Sequence, residues 1–203
     1  MKRLAVLVML LFPMLAASQE KDESGMWLSL YGYKSFGKFY TSLYFEYDQM
    51  QDFSKFDSWY VRATGGYKVL PWLKLDAAYD YYKEPDRYLH RFYGNVTATV
   101  KSGDLSVSWR ERYMYAYTPQ TSSGSSVLRS YLNVKYAIPK LPLTPYLAME
   151  VFTWKKWEKT RHYAGVLYSF GKYSEIDLYY LYYTFASRSS EHILGIGYNF
   201  NFY

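Results

Sequence analysis

Apolar side chains alternate with polar or small ones at a period of two along nearly the whole chain. Phe39, Thr41, Leu43, Phe45 and Tyr47 stand against Tyr40, Ser42, Tyr44, Glu46 and Asp48. Trp59 to Val69 and Leu73 to Tyr82 repeat the pattern, and so does the final stretch. There Leu194, Ile196, Tyr198, Phe200 and Phe202 oppose Gly195, Gly197, Asn199 and Asn201. Successive side chains face opposite ways only in extended backbone. Period two over ten or more residues therefore demands strands and excludes amphipathic helices. Eleven alternating segments follow one another from Trp27 onward. Short connections (VLPWL, KSGD, PKLPL, GKYS) take turns with longer polar ones at residues 50–57, 83–87, 118–126 and 154–159. A meander with two unlike rims gives that rhythm. No linker or compositional shift interrupts it, so the strands belong to one domain.

Two all-β architectures satisfy the alternation. A soluble barrel of lipocalin type turns the apolar face inward. A transmembrane barrel turns it to lipid and encloses the polar face. Many runs reach the roughly 9–11 residues that a tilted spanning strand needs. Aromatic residues make up 22% of the chain, including 27 Tyr, and on the apolar face they gather toward strand ends. Tyr67, Tyr136, Phe170, Phe200 and Phe202 lie near the short turns, and Tyr47, Trp59, Tyr81 and Tyr182 near the longer loops. Such girdles suit the two membrane–water interfaces. The expected fold is an all-β, antiparallel up-and-down transmembrane β-barrel. Bacterial single-chain barrels usually have an even number of strands. Ten full strands from Lys38 are therefore expected, with twelve as the alternative. Trp27–Lys34 is then expected to pair incompletely or to pack in the lumen.

Lys2 and Arg3, an apolar run from Leu4 to Leu15, and Ala16-Ala17-Ser18 read as a secretory signal peptide. The run is too short for a membrane-spanning helix. The division is then 1–18 signal peptide, 19–37 N-terminal segment with a short strand, and 38–203 barrel. With no Cys in the chain, a lipoprotein anchor, disulfides and thiol chemistry are excluded. Removing Lys2 and Arg3 leaves 22 basic and 18 acidic side chains, a net +4. Their signs intermix and form no basic stripe, which argues against a nucleic-acid partner.

The stretch from Gly197 through Phe200 to Phe202 resembles the C-terminal signal of bacterial outer-membrane barrels, read by their assembly machinery. Gly195 at the polar position and the extra Tyr203 depart from that pattern. Over most of the chain a second resemblance rests on the order of several short motifs. They are Trp27, Gly66-Tyr67-Lys68, Arg110-Glu111-Arg112, Leu128-Arg129, Tyr146 to Glu150, Arg161 to Gly165 and Ile193 to Tyr198. The chain resembles a family of small outer-membrane barrels found mostly in Bacteroidetes and catalogued as a domain of unknown function. That resemblance implies a fold and an outer-membrane location in a Gram-negative bacterium, and no activity. The expected partners are outer-membrane lipid, from the barrel reading, and the assembly machinery, from the C-terminal stretch.

Candidate chemistry lies on the polar face. Its charges include Arg62, Lys68, Lys74, Arg91, Arg110, Arg112, Arg129, Lys135 and Arg161, with Glu46, Asp48, Asp76, Asp80, Glu150, Glu175 and Asp177. The cluster singled out is Glu46, Arg62, Asp76, Arg110, Arg112, Arg129, Glu150 and Arg161. Buried charges must be paired, so a narrow barrel is expected to fill its lumen with ion pairs. The alternative is a selectivity lining for a solute. Arg161-His162-Tyr163-Ala164-Gly165 resembles the His-x-Ser segment of lipid A deacylases, but the nucleophile position holds Ala164. Ser130 from another strand would have to serve. His90, His162 and His192 are scattered and assign no metal, and nothing assigns a cofactor. Glu111 falls in phase with Trp109 and Tyr113, toward lipid. It is expected near an interface or at a bulge.

Overall fold

The structure is a computed structural model and describes residues 23–187 and 189–202. The expected signal peptide, residues 1–18, and Tyr203 lie outside the described residues. Eleven strands follow in chain order: β1 (Glu23–Phe36), β2 (Phe39–Met50), β3 (Lys55–Leu70), β4 (Leu73–Lys83), β5 (Tyr88–Ser102) and β6 (Leu105–Thr118). Then come β7 (Ser123–Tyr136), β8 (Leu143–Trp154), β9 (Lys156–Phe170), β10 (Ser174–Phe185) and β11 (Glu191–Phe202). Each pairs antiparallel with its chain neighbours, and β1 pairs with β11 to close a barrel.

An odd count sends the first and last strands the same way, so the closing pair is parallel. Glu23 faces Glu191 and Lys34 faces Phe202 along an unbroken register. This corrects the expected strand number and the barrel boundary at 38. Trp27–Lys34 is neither loose nor inside the lumen. It is the middle of a full wall strand, bonded on both sides.

At the lower rim, two-residue turns follow β1 and β5. Gly37 (φ 62°) and Gly103 (φ 56°) hold the first turn position, where a primed hairpin turn requires positive φ. The upper rim is less elaborate than the loop lengths suggest. Its first four connections are residues 51–54, 84–87, 119–122 and Lys155 alone. From Ser123 the Ser-rich stretch belongs to β7 instead of forming a long loop.

The apolar face is outside. Leu30, Leu43, Val100 and Leu147 are 50–67% exposed, the inverse of a lipocalin-type barrel. Aromatic clusters mark both ends of this face. Phe39–Tyr67, Phe170–Tyr198 and Phe200–Phe202 lie toward the lower rim. Tyr47–Phe56, Trp59–Tyr81 and Tyr182–His192 lie toward the upper one.

Candidate functional site

The lumen is layered. Nearest the upper rim, inward positions of β1, β2, β10 and β11 carry apolar groups. Trp27, Met50, Leu181, Tyr183 and Ile193 pack together, and Leu181 and Ile193 are fully buried. This collar was not anticipated. Leu181 and Ile193 each interrupt the inward face of their strand once, and a single exception does not disturb the alternation.

Below the collar sits Glu150, 1% exposed. Its Oε1 accepts from Arg129 Nε at 3.1 Å and Arg110 Nη2 at 3.2 Å. Oε2 accepts from Arg129 Nη2 at 2.8 Å and lies 3.6 Å from Arg161 Nη1. Arg161 also lies against the rings of Trp27, Phe152 and Tyr183, at 4.6–5.0 Å from their centroids. One carboxylate thus serves three guanidiniums. A second hub, outside the selected cluster, is Asp80. It is fully buried and ion-paired with Arg62 and Arg91 at 2.8 and 2.6 Å. Tyr93 donates to it at 2.7 Å.

Two carboxylates expected to neutralise the arginines are engaged elsewhere. Asp76 accepts from Tyr40 at 2.7 Å and from Asn95. Glu46 accepts from Tyr44. Neither makes an ion pair among the described residues. Arg112 is 6% exposed and donates from Nε to Asn95 Oδ1 at 2.6 Å. It too has no ion pair among the described residues. The eight members of the cluster therefore share one lumen, but they do not form one network.

Tyrosines shape the rest. Tyr40, Tyr146 and Tyr179 face Gly66, Gly165 and Gly195 directly across their strand pairs. A Cβ at any of these glycines would collide with the opposing ring, so each ring lies over a bare stretch of wall. Among the described residues, two cavities bear on the lumen. One of about 320 Å³ lies at the upper rim, and one of about 450 Å³ lies below the collar. Trp27 and Arg161 line both and stand between them. The lower chamber is lined by six cationic and four acidic side chains. Inward residues near the lower rim, such as Tyr33, Thr97 and Asn199, are partly exposed, whereas Asp48, Met50 and Ile193 near the upper rim are buried. The expected ion pairs are present around Glu150 and Asp80, and a chamber of about 450 Å³ remains beside them.

On the outer face Ser130 and His162 are not brought together. Ser130 donates to Glu111 at 2.8 Å, and His162 stacks on Tyr182 two strands from Ser130. Glu111 sits mid-strand with no bulge and accepts from Trp109 Nε1 at 2.5 Å. Two local donors hold this outward carboxylate, in place of the interface or bulge expected. Among the described residues no group of three or more His, Asp or Glu could hold a metal. In the wall, Gly197 faces inward and is buried, and Phe200 and Phe202 meet edge to face at 4.5 Å near the lower rim.

A family model described as "Protein of unknown function (DUF2490)" matches residues 24–193. No curated protein matches the chain. Among solved structures, a porin is similar over 81% of this chain and 58% of its own, with 14% identity and a TM-score of 0.37. The chain thus spans little more than half the length of that porin.

Proposed function

The chain belongs to this family of proteins of unknown function, so its role must be argued from its own wall and lumen, and we propose an outer-membrane β-barrel that binds a small solute or conducts through a narrow path. The continuous outward apolar belt between two aromatic girdles carries the proposal. Soluble monomers rarely expose contiguous apolar patches beyond a few hundred Å². Lipid would cover this belt and leave the girdles at its two interfaces. The signal peptide delivers the chain to a Gram-negative envelope, and the barrel-assembly machinery reads Gly197, Phe200 and Phe202. The lower rim faces the periplasm, because it carries the tight turns and the terminal aromatics. The charged chamber then opens on the periplasmic side, and the apolar collar closes it toward the outside. That shape suits a binding vestibule or a narrow channel better than a wide diffusion pore.

Heat-modifiable migration of the fractionated protein, followed by planar-bilayer recording, tests this. It should fractionate with the outer membrane and migrate faster unboiled. Its conductance should fall well below that of an open porin. Recovery as a soluble periplasmic monomer without detergent would overturn the membrane assignment.

A further inference from the structure

We infer that the lower chamber binds a small phosphate-class oxyanion against Arg110 and Arg112. This rests on the reading of the lumen as a chamber, not on where the barrel resides. The observation behind it is a charge imbalance inside a closed wall. Arg112 faces Arg129 directly across the β6–β7 pair, and Arg110 is two residues away on the same face. On its other side, Arg62 and Arg112 approach the same Tyr93 ring, at 4.5 and 4.9 Å. The charged side chains beside and across from Arg112, namely Arg110, Arg129 and Arg62, are all cations. A guanidinium cannot lose its proton to escape that crowding.

The wall withholds the obvious counterion. Asn95 stands between Arg112 and Asp76, giving its amide oxygen to the one and its amide nitrogen to the other. Glu150 is already shared by three guanidiniums. Arg110 Nε is buried without an acceptor among the described residues, while 27% of that side chain stays exposed. Arg110 and Arg112 both line the cavity of about 450 Å³. Their stems are roughly 7 Å apart at about 3.4 Å per strand residue. Planar guanidinium forks match pairs of oxygens, so a tetrahedral oxyanion can bridge the two where a halide offers a single point. The closed wall excludes a macromolecular polyanion. The phosphate can come as the free ion or as the phosphoryl group of a small solute.

The test uses the mature barrel folded in detergent micelles, at fixed ionic strength maintained with chloride. Its melting temperature is followed against inorganic phosphate and, in a second arm, glycerol 3-phosphate. A saturable rise is expected, and the tighter arm identifies the source. Arg112→Gln and Arg110→Gln should each weaken the apparent affinity at least tenfold. Lys101→Gln, at the exposed lower end of β5, should leave it unchanged. In chloride alone, Arg112→Gln should melt at or above the wild-type temperature, since it removes an uncompensated charge. Absence of a saturable shift in both arms, or an equal shift in all variants, overturns the inference. So does an Arg112→Gln protein that melts lower in chloride or does not fold, because Arg112 is then a structural member. Fractionation and conductance read the membrane assignment separately, so the two failures cannot be confused.

Discussion

Glu150 and Arg112 are both buried charges in one wall, yet their removal should act in opposite directions. Glu150→Ala takes the shared acceptor from Arg110, Arg129 and Arg161 and leaves three guanidiniums in confinement. Breaking a buried pair from one side costs about 3–5 kcal/mol. Urea titration of the refolded barrel should show that loss. Arg129→Ala should cost less in the Glu150→Ala background than in the wild type, because the interaction it removes is already gone. Which residues face the lumen was legible in the sequence, since period two fixes the face. Which acid meets which base was not, because that depends on register. Arg62, Asp80 and Arg91 stand directly across from one another in three successive strands. That row follows once the turns at residues 71–72 and 84–87 are placed, and it would have disclosed the Asp80 hub. Glu150 reaches Arg110 two strands away, through wall curvature that no single-strand pattern reports.

At the scale of the element, β1 departs furthest from expectation. Below Glu23 at the upper rim, its inward face offers only uncharged residues, Gly25, Trp27, Ser29, Tyr31 and Tyr33. It therefore resembles a weak strand when read alone. Its partners decide otherwise, and one of them is the final strand, far along the chain. The parallel seam makes a sharp prediction in a protein without cysteine. The double variants Ser24→Cys with His192→Cys, and Lys34→Cys with Phe202→Cys, place thiols on paired positions at opposite ends of the seam. Oxidation should cross-link both pairs, as adjacent strands bring Cα atoms within the roughly 4.4–6.8 Å that a disulfide spans. Ser24→Cys with Phe202→Cys should stay uncross-linked. An antiparallel closure would reverse these outcomes on a diagonal gel. The Tyr–Gly pairs also belong to this scale. Each residue type was visible in the sequence, but their opposition across a strand pair was not.

For the whole molecule, the collar decides how far the barrel can act as a channel. Trp27 and Arg161 separate the two cavities, and Arg161 is fixed by Glu150 and by three aromatic rings. Trp27→Ala should join the cavities. Single-channel conductance in planar bilayers should then rise above the wild-type level, with some loss of stability from the vacated space. Unchanged conductance would mean that the path is blocked elsewhere. The architecture as a whole was legible because an all-around alternation leaves a chain few alternatives to a closed sheet. The strand number was not, because it turned on a preference for even counts that a parallel seam evades.

That seam also governs how the wall must assemble. Ten of its eleven contacts join neighbours in sequence through a turn or short connection, so they can zip up locally. The eleventh joins Glu23 to Glu191 and Lys34 to Phe202, and no turn brings those strands together. Loop-closure entropy makes such distant pairings slow. Until it forms, β1 and β11 each present a row of unpaired backbone groups, the kind of edge that recruits foreign strands. The curled but unsealed sheet is therefore the state in which this protein is most open to mispairing.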